Sequence, residues 1–416
     1  MDILKLAEKE EQYVIDMRRK FHRHPEVGGT EEHTMEIIKK ELEKFGIEYE
    51  VVERGGIVGK LKGSKEGKRI ILRADIDALP MQEDPNNIIK PKTCVSEIDG
   101  VAHMCGHDGH TAMLLGAAKI LSENKDLING EIVFAFEQGE EIGYGLMIVE
   151  HLRQMKADGV WGIHLQAETP SGKISVDPGP RMAVNVTFEI EIGGKGGHGS
   201  RPDLANNPLD CFADVYNSLK DMRLNKLDPF FPTTFSVGYV KMGDAPNIIP
   251  ENLTFGASLR HTDHEEIGSK AEKYIRDILN DTCKLHNCTY KFIREPKSHN
   301  ILTYNNEDCS KIAAQSVVKA LGEDALYQRH PWMGGESMAF YMQYFPGVFA
   351  FLGIGNEEKG TGAGHHNPHF DIDEDVLKLG AAATVQYAID FLNSDDKINF
   401  TASEEDITTI LKRIGF

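Results

Sequence analysis

The sequence predicts an α/β protein with a mostly parallel central sheet, interrupted by a smaller α+β domain. Three observations carry this prediction. Ile132–Phe136 and Gly159-Val-Trp-Gly-Ile-His-Leu are short continuous apolar runs, the pattern of strands buried on both faces. Val184-Asn-Val-Thr-Phe-Glu-Ile-Glu-Ile alternates with period two, the pattern of a strand with one wet face. After residue 309 the first kind of helix–strand alternation resumes. A chain of 416 residues also exceeds one ordinary core. Residues 1–183 and 297–416 are therefore read as one discontinuous larger domain, and 184–296 as the inserted one.

In chain order, Leu4, Ala7, Tyr13, Val14, Met17 and Phe21 recur at helical spacing, and Pro25 ends that helix. A second helix from about Thr30 carries Met35, Ile37, Ile38, Leu42 and Phe45. His22 and His24, at the break, read as structural histidines. Strands are expected at Tyr49–Val52, Ile57–Lys62 and Arg69–Ile76. Asp75 and Asp77 alternate onto one face at the end of the last. Two carboxylates there are costly unless a cation or hydrogen bonds hold them, and the C-terminal ends of strands in open α/β sheets are where ligands gather. The run Ile132–Phe136 leads into Glu140-Glu141 between glycines. Such a pair can divide labour, one carboxylate ligating and the other moving a proton; an exposed acidic turn is the bland alternative. A helix at Leu146–Met155 and a strand ending at His164 follow. The insertion reads as helices Pro208–Met222 and His264–Leu285 with strands Thr234–Met242, Leu253–Arg260 and Thr289–Arg294. Beyond it come helix Cys309–Leu321, strand Gly347–Leu352, helix Val376–Leu392 and a short helix Glu404–Ile414 with Ser403 as its N-cap.

One stretch concentrates reactive side chains. Val101–Gly116 holds His103, Cys105, His107, Asp108 and His110, followed by an apolar run at helical spacing through Met113, Leu114, Ala117, Ile120 and Leu121. All five side chains are of kinds that bind transition metals or shift protons. Read as an extended segment, it turns Cys105 and His107 to the same side. A second loop, Gly360–Glu374, is rich in glycine and carries His365, His366 and His369. The net charge of −19 argues against nucleic acid and anionic membrane surfaces as partners. Six scattered cysteines fit a reducing, cytoplasmic setting. The first residues lack the hydrophobic core of an export signal, and no window approaches a membrane span. No predicted strand opens into G-x-G-x-x-G, which weighs against dinucleotide binding.

Taken in order, His22-Arg-His-Pro-Glu, Leu72-Arg-Ala-Asp-Ile-Asp-Ala-Leu-Pro, His103-Met-Cys-Gly-His-Asp-Gly-His, Glu140-Glu141, Gly162-Ile-His164, Gly194-Lys-Gly-Gly-His198, Asn247-Ile-Ile-Pro250, Gly335-Glu-Ser and His366-Asn-Pro-His-Phe-Asp resemble the dinuclear-metal amidohydrolases. That family includes aminoacylases, hippurate hydrolases, N-acetyl-diaminopimelate deacetylases and auxin-conjugate hydrolases. The resemblance implies a zinc-peptidase-like catalytic domain with an inserted ferredoxin-like domain that dimerises and lids the site. It implies Cys105, His107, Glu141, His164 and His366 as ligands of two divalent ions (zinc, manganese, cobalt or nickel). It makes Glu140 the general base toward a water held between the ions, and Asp75 or Asp77 the carboxylate that orients a ligand. His198, Asn247 and Arg260 from the insertion would contact the substrate, an N-acyl amino acid, in a homodimer or larger homo-oligomer. A metallo-carboxypeptidase, aminopeptidase or dipeptidase acting on short peptides is the rival reading. The run Phe136-Glu-Gln-Gly and the triplet Gly335-Glu-Ser depart from the commoner family pattern, and both bear on the substrate pocket.

Overall fold

The structure, a computed structural model, describes residues 2–414. They form two compact units. The first takes in the chain up to Arg181, then Tyr304–His330 and Ser337–Ile407; the second takes in Met182–Thr303, Pro331–Glu336 and the chain from Thr408 onward.

The first unit is built on a seven-stranded sheet. Its first strands are β1 (Glu48–Val52), β2 (Gly56–Lys62), β3 (Lys65–Asp75), β4 (Asn129–Glu137) and β5 (Gly159–Pro170). Strands β3, β4 and β5 pair in parallel, with β3 between the other two. Antiparallel β2 and β1 extend the β4 edge. Ile132 to Phe136 are fully buried, as the continuous apolar run required. Between β3 and β4 lies the helix α1 (His107–Glu123), whose residues His107–Ala118 are buried without exception.

The second unit begins with β6 (Val184–Gly193) and continues through α2 (Pro208–Asn225), β7 (Thr233–Met242), β8 (Asn252–His261), α3 (Ser269–Leu285) and β9 (Thr289–Ser298). The strands lie in the order β7-β8-β6-β9, all antiparallel. This βαββαβ chain order with that strand order is the ferredoxin-like arrangement. Val186, Phe188, Ile190 and Ile192 of β6 and Leu253, Phe255, Ala257 and Leu259 of β8 share a core with Cys211, Val215 and Leu219 of α2 and Ile275, Leu279 and Cys283 of α3. Period two on the strands and three-to-four spacing on the helices thus meet in one apolar layer.

The chain returns to the first sheet as β10 (Gly347–Gly355), parallel to β5, with the antiparallel edge strand Ile174–Ser175 beyond it. The helix α4 (Leu377–Asn393) packs against α1; a Cβ on Gly380 would stand 2.1 Å from Met113 Sδ, so any other residue there would have to displace the Met113 side chain. No helix among the described residues is long and apolar enough to cross a membrane.

Three expectations need correction. The first helix is two, Ile3–Lys9 and Glu11–Arg23, because the Glu10 amide bonds back to Ala7 and closes a tight turn. The insertion runs past residue 296, because β9 extends to Ser298. The last helix starts at Ile407, and Ser403 caps a local turn by accepting from the Glu405 amide.

Candidate functional site

Four parallel strands end on one edge of the first unit's sheet, and their C-terminal ends and following loops carry the reactive groups. β3 delivers Asp75 and, two residues on, Asp77. β4 leads into the short turn Glu140–Ile142, flanked by Gly139 at φ 57° and Gly143 at φ 65°. β5 carries His164. The loop after β10 carries His365 and His366. Cys105 and His107 arrive from the start of α1. They do not come from an extended segment: Gly106 between them has φ 95°, a left-handed turn that glycine adopts readily, and His107 is already the first helical residue. The two side chains converge nonetheless.

Ligand-type atoms of Cys105, His107 and His164 lie within 4.8 Å of one another, as do those of Cys105, Glu141 and His366, and those of His107, Glu140 and Glu141. Cys105 thus belongs to two groups. Cys105 Sγ is 3.7 Å from His164 Nε2. His164 Nδ1 donates to the Leu165 carbonyl at 2.6 Å, which aims its Nε2 lone pair at the cluster. His107 Nδ1 donates to Asp77 Oδ1 at 3.0 Å, while its Nε2 is buried without a hydrogen-bond partner. Asp77 Oδ2 also accepts the Glu141 amide at 3.1 Å. His366 Nε2 is 3.0 Å from Glu141 Oε1. Its backbone is held at φ 59° by a 2.8 Å bond from its amide to Met104 O, a left-handed conformation uncommon for histidine.

Asp75 and Asp77, equivalent by alternation, have different hydrogen-bond partners. Asp75 Oδ1 accepts from His110 Nδ1 at 2.6 Å and Oδ2 from Arg73 Nη1 at 2.8 Å. His110 Nε2 in turn accepts the Leu165 amide at 2.8 Å, so its two nitrogens tie α1 to β3 and to β5. Only Asp77 touches His107 within hydrogen-bond distance. His22 is structural, wedged between Asp108 at 2.8 Å and Glu83 at 3.0 Å.

The donor chemistry fits cations. Burial opposes ionisation of Asp75, but His107, His110 and Arg73 outweigh it and hold its carboxyl well below the usual range. Burial also works against a charge on Glu141, yet His366 and His107 bring its carboxyl down. Burial and the adjacent His110 keep His164 in the neutral, ligating form. Burial and the Glu141 carboxylate push the Cys105 thiol well up, so a nearby cation is what would convert it to thiolate. A buried His107 nitrogen with no hydrogen bond, 3.8 Å from Asp75 Oδ2 and grouped with a thiol and two carboxylates, is an arrangement that divalent ions satisfy.

Within the second unit, Gly197–His198 pairs with Ile248–Ile249, and the Gly199 amide donates to Asn247 O at 2.9 Å. His198 and Asn247 therefore stand together on one small ribbon, with His198 exposed and its Nδ1 accepting the Ser200 amide at 3.1 Å. Arg260 does not join them. The ribbon springs from the end of the sheet where Gly193 faces Asn252, whereas Arg260 faces Asn185 at the other end. Eight residues of strand put about 26 Å between those ends. The Arg260 guanidinium donates instead to Met333 O at 2.6 Å.

Sequence reasoning missed three polar residues here. The Ser337 amide donates to Glu140 Oε1 at 2.9 Å. Arg73 ties Asp75, Glu137 at 2.7 Å and the Ser337 hydroxyl at 2.7 Å into one network. Glu31 reaches the Glu140 turn from a distant segment. Arg73 and Ser337 had a signal, lying inside the motifs Leu72-Arg-Ala-Asp and Gly335-Glu-Ser, and Glu31 had none.

The chain matches the model of the peptidase family M20/M25/M40 over residues 71–390. It is 37% identical over 394 residues to thermostable carboxypeptidase 2 of Saccharolobus solfataricus, covering 92% of this chain and 96% of that protein. It is 34% identical over 388 residues to IAA-amino acid hydrolase ILR1-like 2 of Arabidopsis thaliana, covering 91% and 85%. Among solved structures it is similar to the Bacillus subtilis YXEP protein, described as a dinuclear metal binding peptidase, with a TM-score of 0.76, 26% identity and coverage of 92% and 99%.

Proposed function

Since the chain belongs to the peptidase family M20/M25/M40, a family of hydrolases acting on amide bonds, we propose that it removes the acyl group from N-acyl amino acids. The observation that carries this is the thiol of Cys105 lying in both the His107–His164 group and the Glu141–His366 group, with Glu140 beside them. A thiolate can bridge two ions, and five ligands exceed what one tetrahedral ion needs. Cys105, His107, Glu141, His164 and His366 would hold the pair, and a soft sulfur ligand favours zinc or another late transition metal. When bound, the ions supply a water that ionises near neutral pH and a Lewis acid for the amide carbonyl. Glu140 would accept a proton at its carboxylate from the attacking water and return it to the leaving amine. The Ser337 amide keeps its Oε1 in place, and Asp77 fixes the His107 ring and the Glu141 backbone.

The carboxypeptidase relative supports a second reading. The two share a leaving group, since a C-terminal peptide residue is an amino acid whose nitrogen carries a peptidyl acyl group. The acyl side distinguishes them. The metal-loaded protein should hydrolyse N-acetyl, N-benzoyl and indole-acetyl amino acids with kcat/KM at least about tenfold above blocked dipeptides with a free C-terminus. The reverse order would make it a carboxypeptidase.

His198 and Asn247 would contact the substrate. A tetrahedral oxyanion needs a donor on the side away from the ions, and an exposed imidazole on a glycine-rich ribbon can supply one. His198→Ala should lower kcat by about two to three orders of magnitude, the range for one oxyanion donor, with metal content unchanged. Wild-type turnover in that variant would leave the ribbon outside the chemistry.

A further inference from the structure

The turn that carries Glu140 and Glu141 is held at both ends by buried carboxylates from other segments. Asp77 accepts the Glu141 amide at 3.1 Å. At the other end Glu31 Oε1 accepts the Gly139 amide at 2.6 Å, and its Oε2 accepts from Gln138 Nε2 at 3.2 Å. Glu31 is fully buried and lies 108 residues from Gly139 in sequence. It occupies the N-cap position of the helix Glu32–Lys44 yet makes no capping bond there. That duty falls to Glu26, whose carboxylate accepts the His33 and Thr34 amides at 3.0 and 2.7 Å. Glu31 is thereby released to face the turn. The segment around it is moulded to the same place: a Cβ on Gly28 would stand 3.0 Å from Gly139 Cα and 3.2 Å from Asp77 Oδ2.

We propose that Glu31 is a positioning residue for the Gly139–Glu141 turn, fixing Glu140 and Glu141 through its bond to the Gly139 amide. This rests on the roles given above to Glu140 and Glu141. Gly139 has a left-handed φ of 57° and no side chain to restrain it, so its amide is the natural handle on the turn. Removing the acceptor leaves a buried N–H unsatisfied and lets the turn relax. A displacement of about 1 Å at a reacting group costs on the order of a hundredfold in rate. Burial, reinforced by the nearby Asp77 carboxylate, pushes the Glu31 carboxyl up to about 7, so an uncharged amide oxygen is a fair substitute as acceptor.

The test compares Glu31→Ala with Glu31→Gln in the full-length protein. Glu31→Ala should lower kcat about a hundredfold with KM within about threefold. Zinc titrated into its metal-free form should bind the weaker site about tenfold less tightly, because Glu141 shifts with the turn. Glu31→Gln should restore both to within about fivefold of wild type. Wild-type kcat and zinc affinity in Glu31→Ala would overturn the proposal, as would a Glu31→Gln protein as impaired as Glu31→Ala. Should Glu31→Ala fail to fold, hydrogen exchange in the wild-type protein decides: a protected Gly139 amide supports the anchor, and exchange at the rate of an open loop overturns it. These outcomes are separable from failure of the functional reading, which would show as an active Glu140→Gln protein whatever Glu31 does.

Discussion

Glu140→Gln should slow amide hydrolysis by about 10²–10⁴-fold, the range for loss of a general base, while the protein keeps its full complement of metal. The substitution is nearly isosteric. The new side-chain oxygen can still accept the Ser337 amide, which now meets Glu140 Oε1 at 2.9 Å. What disappears is a lone pair able to take the proton of the attacking water. Glu141→Gln should behave differently, although the two residues are adjacent. Glu141 lies with Cys105 and His366 and within 3.0 Å of the His366 ring, so its replacement should lower metal content first and activity in consequence. Elemental analysis and turnover measured on the same preparations separate the two phenotypes. Full metal with low turnover in Glu141→Gln, and lost metal in Glu140→Gln, would exchange the roles.

The elements of this site were legible in sequence for a chemical reason. Cysteine, histidine and paired carboxylates are rare next to apolar runs, and Ile132–Phe136 and the helix after His107 marked where strands end and a buried helix begins. The two periodicities likewise separated the parallel sheet from the ferredoxin-like insertion. What pattern could not give was anything decided by partners far along the chain. Alternation put Asp75 and Asp77 on one face, and only the bonds to His110 and His107 tell them apart. Arg260 closes a strand that begins near the His198 ribbon. Which end of the sheet it occupies follows from antiparallel register against β6, and that register carries it away. Glu31 resembled any acidic residue at a helix start, and its bond to Gly139 spans 108 positions. The left-handed turn at Gly106 was invisible because the residue spacing alone already favoured convergence, by the wrong local geometry.

Cys105→Ala should lower turnover by at least about three orders of magnitude, beyond what loss of one hydrogen-bond donor costs. Its thiol is the atom common to the His107–His164 and Glu141–His366 groups. Deleting a ligand of one ion would weaken that ion, whereas deleting a ligand that serves both would weaken both. The fold should survive, because Cys105 sits in a short loop ahead of α1 and contributes little volume to the core. Metal analysis should therefore show depletion in a protein of wild-type circular dichroism. Cys105→Asp sharpens the test. A carboxylate can also bridge two cations, as a neutral imidazole cannot, so aspartate should recover metal binding and part of the turnover, with manganese gaining on zinc as an oxygen ligand replaces sulfur. Full metal and near-normal turnover in Cys105→Ala would remove the thiol from the ligand set. An alanine variant that lost only one ion, with an aspartate variant no better, would make Cys105 a terminal ligand and leave Glu141, which neighbours His366 on one side and His107 on the other, as the residue that bridges.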